Sequence, residues 1–378
     1  MILDGGRVLS PGGALEPGRV RVDGPVLGDP RPPPASDEVV VDVAGLLVLP
    51  GLVDLHTHVF SGQDAGVDAQ AIGPPTGVTT MVDAGSAGAH LIGAFRRTSM
   101  PADGPVRVLP FLNIATIGIT SLTLSGELHH PPYLSTEAAL SAIADGGDIV
   151  GVKVRASADV AGPRAVEALD TARAVADETG LPLMVHLGPS PADAAEILAR
   201  LRAGDVLTHC LTGFGNDLAR PGLGPALLAA RERGVVFDVG HGKSGFDATV
   251  ASRLLAQGFA PDTISTDLHA YSLDTVGGLP RVIAGLVALG MPLAQALRAA
   301  TEIPARVLGR PELGILAPGT PADVAVLAWT EAETDDEHDH VDGFGHHYRA
   351  GHALVPVLTL SAGRVVFDPT GLAGLRRP

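Results

Sequence analysis

The chain has 378 residues, of which 46% are hydrophobic, 18% charged and 3% aromatic. This composition is too apolar for a disordered chain, and it provides few aromatic rings on which nucleic-acid bases could stack. The 26 basic and 42 acidic residues give a formal net charge of −16. Because this charge repels polyanions, we expect no nucleic-acid partner and no binding to an anionic membrane surface.

The single cysteine, Cys210, excludes an intrachain disulfide and a cysteine-rich metal site. The N-terminal residues lack the basic and apolar regions of a signal peptide, so we expect a cytoplasmic protein. No uncharged apolar run reaches the ~18 residues that a membrane span needs. The apolar stretch 282–297 is interrupted by Gly290 and Pro292, which predicts two buried helices rather than one span.

Eight short apolar segments recur along the middle of the chain, starting 24 to 42 residues apart. They are rich in Val, Ile and Leu and are bounded by Gly, Pro or Asp, as buried strands are. Helical patterns fill the intervals; one example is 165–179, which ends at Gly180. This alternation predicts a (β/α)8 TIM barrel, with a doubly wound open sheet as the alternative. The segments are 51–58, 77–85, 107–115, 149–157, 181–188, 205–211, 235–242 and 263–270.

Both ends of the chain alternate short apolar pieces with turns. We predict that residues 1–49 and 312–378 together form a small β-sandwich domain, and that residues 50–311 form the barrel. The segment 331–352 is acidic and rich in histidine. Its histidines could bind a metal, but no ligand spacing repeats, so we favour a solvated loop. These histidines are His338, His340, His346, His347 and His352.

Polar residues recur where the predicted barrel strands end, which is where barrels of this kind carry their chemistry. His56 and His58 are two residues apart in a strand and therefore face the same side. Each residue of the set could be structural by itself, but six of them on five strands favour one site. Imidazole and carboxylate groups suit a divalent metal such as zinc. The set is His56, His58, Lys153, His186, His209 and Asp267.

Several segments carry a family resemblance: PGLVDLHTH at 50–58, VKVRAS at 152–157, MVHLG at 184–188, LTHC at 207–210 and STDLH at 265–269. On these motifs the chain resembles the amidohydrolase superfamily of metal-dependent hydrolases. Within that superfamily it is most similar to the dihydroorotase-like amidohydrolase/deacetylase group.

The resemblance implies a centre of two divalent metal ions, most often Zn²⁺. His56, His58 and Asp267 would hold one ion, and His186 and His209 the other. Lys153 would be carboxylated by CO2, and the carbamate would bridge both ions. A lysine desolvated in an apolar strand has a lowered pKa, so that its free amine can react with CO2. The implied nucleophile is a metal-bridging hydroxide, with Asp267 as the proton shuttle.

Arg155 lies two residues after Lys153 and is suited to bind a carboxylate. No acidic residue lies beside it in the sequence, so we expect its partner to be the carboxylate of the substrate. His241 and His269 are further candidate substrate contacts. The long segment 118–134 could form a wall or a lid.

These residues predict a hydrolase that cleaves an amide or ester bond of a small molecule, as a deacetylase does. The alternatives are a cyclic amidohydrolase of the dihydroorotase or hydantoinase type, a lactone or phosphotriester hydrolase, a deaminase and an inert scaffold. Deaminases of the superfamily usually lack the bridging lysine, and inert scaffolds lose metal ligands. A homo-oligomer is compatible with the sequence.

Overall fold

The structure is a computed structural model that describes residues 1–334 and 338–374. Its strands in chain order are β1 (Ile2–Leu9), β2 (Leu15–Asp23), β3 (Val26–Gly28), β4 (Val40–Asp42), β5 (Leu47–Pro50), β6 (Leu52–Thr57), β7 (Val78–Gly88), β8 (Arg107–Asn113), β9 (Gly151–Arg155), β10 (Leu183–His186), β11 (Val206–Thr208), β12 (Val236–Asp238), β13 (Val324–Glu331), β14 (Asp339–Val341), β15 (His347–Arg349), β16 (His352–Ser361) and β17 (Arg364–Phe367).

The α-helices fall mainly between the strands of the middle region. They are α1 (Ala69–Ile72), α2 (Ile92–Ser99), α3 (Thr136–Ala144), α4 (Ala158–Ala161), α5 (Ala165–Thr179), α6 (Ala194–Arg200), α7 (Gly224–Glu232), α8 (Ala248–Ala256), α9 (Leu273–Val276), α10 (Leu279–Ala288), α11 (Leu293–Ala299) and α12 (Glu302–Val307). None of these described helices is long and apolar enough to cross a bilayer.

Strands β6 to β12 form a parallel sheet whose strand order follows the chain. Almost every residue in these strands is buried, because helices cover the outer face and side chains fill the inside. Inside the barrel, Leu55, Val82, Phe111 and Met184 belong to one apolar cluster. Parallel strands connected by helices are the predicted barrel arrangement.

The eighth predicted strand, 263–270, is not a continuous strand. It pairs at single residues, with a parallel bridge from Thr263 to Asp238 of β12 and another from Leu268 to Thr57 of β6. Thr266 instead bonds to Asp54, from its backbone N–H at 3.0 Å and from its hydroxyl at 2.6 Å. Side-chain hydrogen bonds therefore replace a regular ladder here, and the segment still joins β12 to β6.

The two ends of the chain meet in one eight-stranded sheet. Its order is β17-β16-β13-β5-β1-β2-β3, with β4 paired to β1. Its apolar face includes Leu3, Val48, Val324 and Leu358. The two facing layers of the predicted sandwich, and the predicted domain boundaries, stay predictions.

Strands β14 and β15 form a hairpin that packs on the barrel. The Asp342 carboxylate in its turn accepts the backbone N–H of Ala248, at the start of α8, at 2.8 Å. This part of 331–352 is therefore a packed hairpin, and the predicted solvated loop is wrong here. The contact is favourable because the N–H groups at the start of a helix have no partner within the helix and bind a carboxylate well. Residues 335–337 lie outside the described residues.

Candidate metal centre

All six predicted metal ligands line one cavity of about 380 Å³ at the C-terminal ends of the barrel strands. They are His56, His58, Lys153, His186, His209 and Asp267. Strands β6, β9 and β10 carry His56, Lys153 and His186, and His58 directly follows β6. The turns after β11 and before α9 carry His209 and Asp267. Residues up to 211 positions apart in the chain thus share one small volume.

The carboxylate of Asp267 lies at the centre of the group. Its Oδ1 is 3.3 Å from Nε2 of His56 and 3.2 Å from Nε2 of His58. His56, His209 and Asp267 each offer a ligand atom, and these atoms lie within 4.8 Å of one another. The ring of His186 lies next to that of His209, with a centroid separation of 4.4 Å.

Hydrogen bonds behind the site determine which imidazole nitrogen faces the cavity. His56 Nδ1 lies 2.7 Å from the Thr208 hydroxyl, which donates its proton to Oδ2 of Asp238 at 2.7 Å. Because that proton is committed, His56 must donate from Nδ1, and its Nε2 keeps a free lone pair. His209 Nδ1 likewise donates to the carbonyl of Gly240 at 2.7 Å. A free Nε2 with a bonded Nδ1 is the form in which histidine binds metals, so these residues fit a divalent ion.

Two of the ligand residues have an uncommon backbone conformation. His209 has φ 63° and Asp267 has φ 48°, in the left-handed region that favours glycine. Neighbouring glycines provide the space for both side chains. A Cβ at Gly242 would lie 2.2 Å from Asp267 Oδ2, and one at Gly245 would lie 2.2 Å from His209 Nδ1. Such locally strained conformations are frequent at functional sites.

Lys153 is 1% exposed, and its Nζ lies 3.5 Å from Nε2 of His56. Burial lowers the pKa of this lysine to about 7. Burial also lowers the pKa of His209 to about 4 and the pKa of His186 well below its ordinary value. At neutral pH the imidazoles of His186 and His209 are therefore uncharged. A substantial fraction of Lys153 is the free amine, the form that can react with CO2.

Arg155 lines the cavity as predicted, but the expectation that it lacks a protein partner is wrong. Its Nη1 donates to Oε1 of the buried Glu127 at 2.9 Å. Glu127 precedes Arg155 by 28 residues, in the segment 118–134, so neighbouring positions in the sequence could not reveal the pair. The same segment contributes Leu122 and Thr123 to the cavity wall.

The two remaining candidates have different surroundings. His241 lies outside the residues that line the cavity: its ring stacks on Phe246, with centroids 4.6 Å apart and planes at 18°. His269 does line the cavity. Its Nδ1 accepts the backbone N–H of Tyr271 at 3.2 Å, so the neutral ring carries its proton on Nε2. His269 can therefore donate a hydrogen bond.

Sequence reasoning missed two further wall residues, Ser244 and Tyr271, and noted Lys243 only as a neighbour of His241. Tyr271 donates from its hydroxyl to Asp64 at 2.7 Å, which holds the ring at the cavity entrance. Lys243 and Ser244 follow His241 in the loop after β12. Their place in that loop could have identified them from the sequence, because loops at the C-terminal ends of barrel strands form the active site.

Comparisons with known proteins agree with this fold. The model of the amidohydrolase family matches residues 47–341. A deacetylase of Agrobacterium fabrum (strain C58) is 32% identical over 338 residues, which are 88% of this chain and 83% of the relative.

Two solved structures are similar over nearly the whole chain. A dihydroorotase superposes with a TM-score of 0.89 at 28% identity, covering 96% of this chain and 97% of that one. An adenine deaminase superposes with a TM-score of 0.88 at 27% identity, covering 97% and 99%. With a family match over most of its length and a relative at 32% identity, the chain belongs to the amidohydrolase family.

Proposed function

We propose that this protein is a metal-dependent hydrolase that removes an acyl group, with acetyl as the first candidate, from an amide or ester. The observation that carries the proposal is the buried Lys153, whose amine lies 3.5 Å from a histidine of the ligand ring and has a pKa of about 7. Similarity to a protein named as a deacetylase supports the choice of reaction.

Two divalent ions would be held by this ring, with zinc as the expected metal. His56, His58 and Asp267 would hold one, and His186 and His209 the other. Lys153, carboxylated by CO2, would supply an anionic ligand to both. When bound, such ions lower the pKa of water and polarise the carbonyl that is attacked.

The chain's own residues would then handle the protons and the substrate. Asp267 would accept the proton of the attacking water and deliver it to the leaving nitrogen or oxygen. Its Oδ1 lies within 3.3 Å of two imidazoles, so one ion could contact all three side chains. His269 would donate from Nε2 to the substrate. A cavity of about 380 Å³ suits a small molecule.

Hydrolysis of a cyclic amide and deamination are the alternatives that the two solved structures bring forward. The two TM-scores are nearly equal, so the fold does not discriminate between them. Lys153 favours hydrolysis over deamination, because a one-metal deaminase site does not need a bridging anion.

Product analysis tests the proposal. The metal-loaded protein is incubated with N-acetyl amino acids, O-acetyl hydroxy acids, dihydroorotate, hydantoins and adenine. We expect release of acetate, and loss of that release after chelation. Ring opening or ammonia release without acetate would replace the proposal by one of the alternatives.

A further inference from the structure

The cavity carries more positive than negative side chains although the chain as a whole is acidic. Its lining includes Lys153, Arg155 and Lys243 but only one carboxylate, Asp267, whereas the whole chain has a net charge of −16. A basic side chain that no carboxylate neutralises attracts anions. The question is which of the three cations is available to a substrate.

Two of the cations already have a role. Lys153 lies inside the ligand ring, and Arg155 donates to the buried Glu127 at 2.9 Å. Lys243 differs, because within residues 1–334 and 338–374 no acceptor or carboxylate lies at hydrogen-bonding or ion-pairing distance from its ammonium. Its side chain is exposed at the edge of the cavity, where it can meet a ligand.

The backbone around Lys243 is held on both sides. The Thr212 hydroxyl donates to the carbonyl of Ser244 at 2.7 Å. On the other side, Gly343 of the β14–β15 turn packs on Lys243 itself, and a Cβ at this glycine would lie 1.2 Å from the Lys243 carbonyl oxygen. A hydrogen bond of 2.8 Å from the backbone N–H of Ala248 to the Asp342 carboxylate holds this β14–β15 turn in place. The hairpin therefore holds the main chain in place, and none of the hairpin residues that the structure describes pairs with the ammonium.

We propose that Lys243 is the anion anchor of the active site and binds the carboxylate of an acylated α-amino or α-hydroxy acid, with Gly343 as its positioning residue. This inference rests on the proposed function and names its substrate class. In this arrangement the ion pair between Arg155 and Glu127 supports the cavity wall, and Lys243 takes over the role of binding the substrate carboxylate. A lysine ammonium is a point charge on a flexible stem. At the edge of the cavity it could follow the carboxylates of acids with different side chains.

The test compares an N-acetyl amino acid with its uncharged carboxamide, which has the same shape. For Lys243→Gln we expect kcat/KM on the acid to fall roughly 10- to 100-fold, mainly through KM, since a charge-assisted hydrogen bond is lost. Hydrolysis of the carboxamide should change less than about 2-fold, and Lys243→Arg should keep most activity on the acid. Arg349→Gln, which removes the same charge from an exposed position on the hairpin, is the matched control.

Gly343→Ala tests the positioning role. The added Cβ must displace the Lys243 carbonyl, so we expect a higher KM for the acid with unchanged kcat, unchanged metal content and unchanged KM for the carboxamide. A purely structural glycine would instead alter both substrates equally, or lower the melting temperature alone, and would remove Gly343 from the proposal.

The outcomes separate the anchor from the proposed function. Equal losses on acid and carboxamide in Lys243→Gln would overturn the anchor while the hydrolase stands. If neither compound releases acetate, the proposed function fails for this class, and the same pair is titrated calorimetrically into the metal-loaded wild type and Lys243→Gln. Acid binding that the substitution does not weaken, or no acid binding at all, would overturn the anchor as well.

Discussion

Arg155 and Glu127 form a buried ion pair at the wall of the cavity, with 2.9 Å between Nη1 and Oε1. Removing one partner leaves an uncompensated buried charge, which costs about 3–5 kcal/mol in such pairs. We therefore expect Arg155→Met to lower the free energy of unfolding by an amount of that order, measured by urea denaturation.

The double variant Arg155→Met/Glu127→Leu is the control for this pair. It leaves no buried unpaired charge, since the other carboxylate near Arg155, that of Asp159, is exposed to solvent. Most of the lost stability should therefore return. If Arg155→Met instead keeps wild-type stability and weakens only acidic substrates, Arg155 contacts the substrate carboxylate directly, as the sequence first indicated.

Lys153→Ala removes the amine at the centre of the ligand ring. We expect loss of at least one metal ion per chain and of most activity, because the methyl group of alanine cannot form the bridging anion. Short carboxylates added to the variant should restore part of both. Two bound ions and full turnover in the alanine variant would disprove the bridging role; metal analysis and a rate assay decide it.

Asp267→Asn keeps the shape of the side chain and removes its basicity. We expect kcat to fall by several orders of magnitude, since the proton acceptor is lost and a metal ligand is weakened. Metal analysis accompanies the kinetics. A mild effect with metals retained would move the proton transfer to another group, with His269, which lines the same cavity, as the first candidate.

Thr208→Val breaks the hydrogen bond that orients His56. The hydroxyl joins His56 Nδ1 to the buried Asp238, and loss of such an outer partner typically weakens metal binding about 10- to 100-fold. Competition with a chelator measures that affinity. Thr263→Val is the matched control: it removes another 2.7 Å bond to Asp238 but leaves the contact to His56, so a smaller change is expected. Equal effects would assign both threonines to stability alone.

Arg96 and Asp148 tie α2 to the segment before β9 through bonds of 2.5 and 2.8 Å. The hydrogen bonds from Arg96 hold the pKa of Asp148 below its ordinary value of 3.8. The folded state therefore binds this proton less readily than the unfolded state. The stabilisation is fully present above the ordinary pKa of 3.8 and is lost as the pH falls through the lower pKa of the folded state.

Asp148→Asn should accordingly lower the free energy of unfolding by roughly 0.5–1 kcal/mol at neutral pH, the range for partly exposed pairs. The difference from the wild type should shrink below about pH 4. A difference that persists unchanged in acid would exclude the ion pair as its cause.

The sequence predicted those parts of the fold that depend on local patterns. Helix α5 has the predicted bounds because its apolar residues recur at helical spacing and Gly180, at φ 71°, ends it. His56, near the end of β6, and His58, just after it, both lie next to Asp267, as the two-residue spacing predicted. By contrast, Ser190 stands before Pro191 in a pattern typical of a helix N-cap, yet its hydroxyl donates to the carbonyl of Ala156 and the capping residue is Asp193.

What the sequence could not predict depends on contacts between distant residues or on backbone conformation. The Arg155–Glu127 pair joins two strand-end segments. His209 and Asp267 have left-handed backbone conformations, and glycines elsewhere in the loops leave room for their side chains. The eighth segment, though rich in strand-forming residues, is held by Asp54 and Asp238, which bond to its threonine hydroxyls. The hairpin over Lys243 is formed by residues that lie about 100 positions later in the chain.

Metal stoichiometry with paired activity tests the central claim most directly. Purified protein is dialysed extensively, analysed for divalent metals, stripped with a chelator and reloaded, and acetate release is measured at each stage. We predict two ions per chain in the active protein, loss of acetate release on stripping and its return on reloading. Full acetate release from protein without bound metal, or stable two-metal protein that hydrolyses no acyl substrate, would contradict the account.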